Sequence, residues 1–353
     1  MSKFWSPLTA SLVPYVPGEQ PKDKTYIKLN TNENPYPPSP KVTEAITGAA
    51  NADLRLYPDP ACDVLVQAAA NYYGLRAEQV FVGNGSDEIL AFVFAAFFDP
   101  AKKLMFPDIT YSFYKVYAKL YGLQTELIPL DEQFNVQVEA YHSDNGGIII
   151  PNPNAPTAQL LPLEDIRMLL ESNPNQAVII DEAYIDFGGQ SAVELIKDYP
   201  NLLVVQTLSK SRSLAGLRVG FAFGSEELIE GLNRIKNSFN SYTLDRLALA
   251  GAVASFEDEA YFRETTAKVV ATRERVTEQL LAIGFKVTDS KANFVFISHK
   301  AIAAKDIFQQ LRDKGVLVRY FDQPRIHEYL RVSIGTDEEM DAFIQAVQEI
   351  VGK

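Results

Sequence analysis

The sequence predicts an α/β protein, with a mainly parallel sheet covered by helices on both faces and a smaller α+β unit after it. Three observations predict this. Between residues 40 and 225 short apolar runs alternate with segments of helical period, as in a doubly covered sheet. Several runs, such as Ala177-Val178-Ile179-Ile180, are apolar without a break, which marks strands buried on both faces. Beyond about residue 240 the order changes, and 353 residues exceed what one hydrophobic core usually serves.

Residues 1–38 come first. Pro14, Pro17 and Pro21, then Asn30-Thr31-Asn32-Glu33-Asn34-Pro35-Tyr36-Pro37-Pro38, exclude a helix interior. They read as an extended arm packing with the smaller domain. Residues 39–240 read as the large domain. Its strands are expected at 80–82, 103–106, 125–128, 147–150, 177–180, 202–206 and 219–223, and its helices at 40–50, 86–98, 111–121 and 162–171. Ser86 is read as the N-cap of the second of these helices, with Asp87 and Glu88 in its first turn. Residues 241–353 read as the small C-terminal domain. A long helix is expected at 258–283, strands at 285–287, 294–297, 316–318 and 330–334, and helices at 307–314 and 337–351.

The chain is 47% hydrophobic and 22% charged, which is ordinary for a globular protein. Its net charge of -12 repels phosphate backbones, so no nucleic-acid partner is expected, although a small site can still be locally basic. The single cysteine, Cys62, excludes an intrachain disulfide and fits a reducing compartment. Because His142, His299 and His327 are far apart, no His/Cys metal site is expected. The first residues, Met-Ser-Lys-Phe-Trp-Ser-Pro-Leu, lack the apolar stretch of a secretory signal. The most apolar run, Ile89 to Phe98, is about half the length of a membrane span and reads as a core helix with Phe92, Phe94, Phe97 and Phe98 inside. A cytoplasmic protein without membrane contact is expected.

Three features stand at or just past the C-terminal ends of expected strands, where open α/β sheets bind ligands. Asp181-Glu182-Ala183-Tyr184 follows one buried strand. An acid there can face a cationic ring nitrogen and raise its pKa, and Tyr184 can reach a neighbouring ring hydroxyl; the alternative is a simple turn cap. Thr207-Leu208-Ser209-Lys210, leading to Ala215-Gly216-Leu217-Arg218, follows the next. The Lys210 amine can condense with a carbonyl once deprotonated, Ser209 and Arg218 are natural phosphate ligands, and Gly216 would allow close backbone approach. The alternative is a solvated basic loop. Gly83-Asn84-Gly85-Ser86-Asp87-Glu88 joins a strand to a helix whose first N–H groups can hold a phosphate. It is neither a Walker A loop nor the dinucleotide fingerprint, since position 88 is Glu.

With these features the chain resembles the fold type I pyridoxal-phosphate (PLP) aminotransferases of class II, and within them the histidinol-phosphate aminotransferases. Ser209-Lys210 with Leu214-Ala215-Gly216-Leu217-Arg218 is the most specific signature. Asn30-Thr31-Asn32-Glu33-Asn34-Pro35, Tyr57-Pro58-Asp59, Asp108-Ile109-Thr110-Tyr111-Ser112 and Leu330-Arg331-Val332-Ser333 add to it. The resemblance implies that Lys210 carries the cofactor and moves the substrate α-proton. Asp181 would pair with the ring nitrogen, Tyr184 with the ring oxygen, and Tyr111 would stack on the ring. Gly85, Ser86 and Asp87 through the backbone, with Thr207, Ser209 and Arg218, would surround the phosphate. Tyr57 would reach the neighbouring subunit's site, making the active unit a homodimer. Arg331, with Arg319, Tyr15 and Asn32, would take the anionic end of the substrate.

One motif departs from the family pattern of Asn-Pro-Thr-Gly. Ala155 stands where Asn touches the ring oxygen, and Ala158 where Gly is usual. Asn154, or Asn152, is expected to serve instead. The expected activity is transamination of histidinol phosphate with 2-oxoglutarate. The alternatives are an aromatic amino-acid aminotransferase, a threonine-phosphate decarboxylase-like enzyme and, from another class, a non-catalytic binding module. Arg325 and His327 read as a surface loop, and Cys62 as a small half-buried residue.

Overall fold

The computed structural model describes residues 2–15, 18–141 and 144–352; Pro17 of the arm and His142 lie outside the described residues. The arm contains a short helix, Pro7–Ser11, and a two-residue strand β1, Ile27–Lys28, so it is not extended throughout. The large sheet is built from β2 (Val80–Asn84), β3 (Lys103–Pro107), β4 (Gln124–Ile128), β5 (Ile148–Pro151), β6 (Val178–Asp181), β7 (Leu202–Thr207) and β8 (Val219–Gly224). Their order is β2-β8-β7-β6-β5-β3-β4, with β8 antiparallel to both neighbours and the other pairs parallel. The reversal of β8 matters for function. It brings the start of β8 to the same sheet edge as the ends of β2 and β7, with Asn84 opposite Val219 and Thr207 opposite Gly220.

The unbroken apolar strands are buried on both faces. Ile148, Ile150, Val178, Ile180, Leu202 and Val204 face one core, whereas Ile149, Ile179, Leu203 and Val205 face the other. The second of these cores includes Phe92 and Phe94 of the helix Gly85–Phe97 and Phe98 just after it, with Phe97 packed against it. That helix starts at Gly85 with Asn84 at the cap position, so Ser86 is not the N-cap. Instead the Asn84 N–H donates to Glu88 Oε2 at 2.7 Å. Cys62 is more buried than expected, at 3% exposure, and unpaired.

The expected boundary at residue 240 does not coincide with the division of the cores. Leu244, and Ala248, Ala252 and Phe256 of the helix Arg246–Phe256, pack into the first large-sheet core. A separate core is formed by β9 (Phe285–Val287), β10 (Phe294–His299), β11 (Val316–Leu317), β12 (Arg319–Tyr320) and β13 (Leu330–Ser333) with the helices Glu259–Ala282, Ala304–Asp313 and Asp337–Val351. Four of these strands make an antiparallel sheet in the order β12-β13-β10-β9, while β11 pairs in parallel with β1 of the arm. The arm thus docks as a strand, and Leu29 just after it is fully buried in this core. Among the described residues no helix is long and apolar enough to cross a membrane.

Candidate active site

Strand ends converge on a cavity of about 290 Å³. Pro151 at the end of β5, Asp181 at the end of β6, Thr207 at the end of β7 and Arg218 at the start of β8 all line it. The arm adds Tyr15, Thr31 and Asn32, and strands β12 and β13 of the antiparallel sheet add Arg319 and Arg331. Ser86, Asp87, Tyr111, Tyr184, Ser209 and Lys210 complete the expected set in the wall.

At one end lies an anion cradle. Arg218 has a left-handed backbone (φ 55), and its guanidinium reaches Asp87 Oδ2 at 3.0 Å and Ser209 Oγ at 3.5 Å. The Ser209 N–H donates to Thr207 Oγ1 at 3.1 Å, which fixes the turn after β7. Gly85 has φ 74, and a Cβ on it would lie 2.7 Å from Arg218 Nη2. The close backbone approach expected at Gly216 occurs elsewhere. A Cβ at Gly216 would meet nothing within 4 Å, whereas one at Gly220 would lie 2.6 Å from Gly85 C and Ser86 N. Gly220 therefore lets the helix N-terminus settle against β8, beside Arg218.

In the centre, Asp181 is 5% exposed. Its Oδ2 accepts from the Tyr114 hydroxyl at 2.7 Å, and its Oδ1 is buried without a partner among the described residues. Burial pushes this carboxyl up to about 6, and the Tyr114 hydrogen bond holds it from rising further. Such a half-satisfied carboxylate is suited to a cationic N–H. Lys210 Nζ donates to Thr31 O at 3.3 Å and lies 5.7 Å from the centre of the Tyr184 ring. The Tyr184 hydroxyl accepts from Asn32 Nδ2 at 3.1 Å. The Tyr111 hydroxyl donates to Asp87 Oδ1 at 3.0 Å, and burial raises its pKa.

At the other end is a second cationic pole. Arg331 Nη2 donates to Asn30 O at 3.0 Å, while its Nε is buried without a partner among the described residues. Desolvation, with help from Arg319, lowers the Arg331 pKa. Both guanidiniums flank the Phe321 ring, at 5.6 and 5.7 Å. The cavity wall thus combines two cationic groups from different sheets with a carboxylate, a lysine and a tyrosine.

Asn154, Asn152, Tyr57 and Gly85, all expected at the site, are not in the cavity wall. Asn154 is turned inward, its amide donating to Ile109 O at 3.0 Å and Thr157 Oγ1 at 2.9 Å. Asn152 is equally committed, donating to Leu161 O and accepting from its N–H. Neither amide takes the place left by Ala155. Ala158 has φ 66, the left-handed conformation that explains glycine as the usual residue there. Tyr57 is 79% exposed and stacks on Tyr242 with ring centres 4.7 Å apart, away from its own chain's cavity. Gly85 supports the cradle from behind. Arg325 bonds Asp108 and the backbone of residues 130 and 131, and His327 pairs with Glu328, so both stand outside the cavity. Tyr114 and Gly220 were missed by sequence reasoning. Tyr114 stands three residues after Tyr111, a spacing that equally describes a core aromatic. Among the described residues no group of three or more His, Cys, Asp or Glu is placed to hold a metal ion.

The donor set fits PLP. The unpartnered Asp181 oxygen matches its ring nitrogen, the Arg218–Ser209–Ser86 cradle its phosphate, and the Lys210 amine its carbonyl. A family model described as aminotransferase class I and II matches residues 24–347. The chain is 63% identical to the histidinol-phosphate aminotransferase of Clostridium acetobutylicum, over 99% of this chain and 100% of that protein. Among solved structures, a putative histidinol-phosphate aminotransferase from Erwinia carotovora atroseptica superposes with a TM-score of 0.85 at 26% identity, covering 92% of this chain and 96% of that one. The histidinol-phosphate aminotransferase of Sinorhizobium meliloti in complex with pyridoxal-5'-phosphate has the same fold, with a TM-score of 0.90 at 24% identity over 100% and 98% of the two chains.

Proposed function

The chain belongs to the class I and II aminotransferase family, and from that premise we propose that it transfers the amino group of histidinol phosphate to 2-oxoglutarate, as a PLP-dependent enzyme of histidine biosynthesis. The observation that carries the substrate is the second cationic pole. Arg331 and Arg319 line the same cavity as Lys210, but they come from β13 and β12 of the antiparallel sheet, whereas Arg218 directly precedes β8 and pairs with Asp87. One pole serves the cofactor's phosphate, and the other takes the phosphate of the donor or the carboxylates of the acceptor.

PLP, when bound, supplies a carbonyl for the amine and a ring that withdraws electrons from the substrate Cα. The residues around it divide the remaining work. Arg218, Ser209 with Thr207 behind it, and the N–H groups of Ser86 and Asp87 bind the phosphate. The Asp181 carboxylate holds a proton at the ring nitrogen. Tyr111 covers the ring and Tyr184 donates at the ring oxygen. The Lys210 amine would hold the cofactor at its carbonyl and would move the proton at the substrate Cα. Arg331, Arg319 and Tyr15 orient the substrate's anionic end. The two half-reactions share one site, so the kinetics are ping-pong.

The same proposal includes a homodimer, in which the exposed Tyr57 completes the partner's phosphate site, a cytoplasmic location, and an arm, large domain and small domain as the working units. The exposed Leu54, Leu56 and Tyr242 beside Tyr57 support the dimer. Single-turnover conversion of a donor panel tests the substrate. Histidinol phosphate should convert the visible spectrum at the lowest concentration. Conversion by phenylalanine with no response to histidinol phosphate would refute the assignment, and carbon dioxide release from threonine phosphate would replace it.

A further inference from the structure

From the segment 151–158, only Pro151, Ala155 and Pro156 reach the cavity wall, and none has a side-chain hydrogen-bond donor. A side-chain donor to a ring oxygen on this side must come from elsewhere. Tyr184 lines the cavity near Lys210, and its hydroxyl is held by Asn32 Nδ2 at 3.1 Å. An amide nitrogen donates and does not accept. The Tyr184 oxygen is therefore the acceptor in this bond, and its own proton is directed away from Asn32.

Asn32 cannot readily turn its amide round. It is 2% exposed, its N–H donates to Ser333 Oγ at 2.8 Å, and Ser333 Oγ in turn donates to its Oδ1 at 2.9 Å. Asn293 Nδ2 donates to its carbonyl at 3.0 Å. Ser333 ends β13 and Asn293 directly precedes β10, so the antiparallel sheet sets which side of the Asn32 amide faces Tyr184.

We propose that Asn32 is a positioning residue that points the Tyr184 hydroxyl proton into the cavity, at the anionic ring oxygen of the cofactor, and so fills the role left open by Ala155. This rests on the reading of the cavity as a PLP site. It assigns Asn32 to Tyr184 rather than to the substrate. It also couples the electronic state of the cofactor to the seating of β13 against the large sheet. If the two separate, the Tyr184 proton loses its direction.

The test is a pH titration of the visible absorption of the purified holoenzyme, with Asn32→Gly as the first variant. Glycine adopts the φ of 56 at this position without strain. A donor to an anionic oxygen favours the unprotonated chromophore, so its loss should raise the titration midpoint by about half a unit to one unit. Tyr184→Phe should raise it further, and Asn32→Gly should add nothing in that background. Ala155→Asn, which restores a donor in the wall, should bring the Asn32→Gly midpoint back toward wild type. An unchanged midpoint in Asn32→Gly, or shifts that add in the double variant, would overturn the proposal. Should Asn32→Gly not fold, Ser333→Ala loosens the same amide and should shift the midpoint in the same direction; no shift there overturns it equally. A wild-type protein with no visible band that depends on Lys210 would instead refute the cofactor reading on which the proposal stands.

Discussion

Replacing Asp181 by Asn removes a buried charge while keeping the side chain's shape. In the cofactor-stripped protein the carboxylate is a burden. One oxygen accepts from Tyr114, the other has no partner among the described residues, and burial lifts its pKa from 3.8 to about 6. That difference corresponds to about 3 kcal/mol of lost stability at pH 8, at 1.36 kcal/mol per unit. The sign follows from proton counting. The native pKa lies above the unfolded one, so the folded protein binds more protons between pH 4 and 6, and stability falls as pH rises through that window. By pH 5 the cost has shrunk to about 1.5 kcal/mol. Asn escapes the charge but weakens the Tyr114 bond by about 1 kcal/mol. Urea denaturation of the stripped proteins should therefore show Asp181→Asn more stable by about 2 kcal/mol at pH 8 and by about 0.5 kcal/mol at pH 5. Saturating PLP should reverse the order, because the wild-type carboxylate then meets the protonated ring nitrogen. A stripped variant less stable than wild type at pH 8, or a gap that does not narrow toward pH 5, would refute this account of Asp181.

Gly220→Ala places a methyl 2.6 Å from Gly85 C and Ser86 N, and should weaken PLP binding by at least about tenfold in equilibrium dialysis with the fold retained; unchanged affinity would show that the turn has slack. Arg331→Ala should raise KM for histidinol phosphate by at least about thirtyfold, the lower end of losing a desolvated charge contact, while the visible spectrum stays as in wild type. Tyr114→Phe deletes the side-chain donor to Asp181, so the stripped variant should lose stability between pH 5 and pH 8 more steeply than wild type in urea titrations; equal slopes would count against it. Light scattering should give twice the mass of one chain, and a monomer that is fully active would remove Tyr57 from the partner's site.

The strands of the large sheet could be read from the chain because burial on both faces leaves no polar residue in Ile148–Ile150, Val178–Ile180 or Leu202–Val205. Asp181, Lys210 and Arg218 stood out for a related reason. Asp181 ends an apolar run, Lys210 follows one by a short turn and Arg218 directly precedes one, and sheet ends are where ligands bind. Residues 246–256 fall in the stretch read as the small domain, yet they form the helix Arg246–Phe256 in the large-sheet core, because a helix apolar on most sides carries no sign of which neighbour it meets.

What the sequence determined by itself was the α/β order of elements, the strand ends and the chemistry displayed there. Tertiary structure alone decided which way the polar groups turn. Asn154 was next to the missing asparagine along the chain, but its amide is spent on Ile109 and Thr157. Asn32, 152 positions from Tyr184 along the chain, is the amide that reaches it. Likewise Gly220 rather than Gly216 admits the phosphate turn. Periodicity along a chain records which residues are buried, because burial is a one-body property. The direction of a hydrogen bond depends on two groups brought together by strands that are distant in sequence, and no local pattern records that.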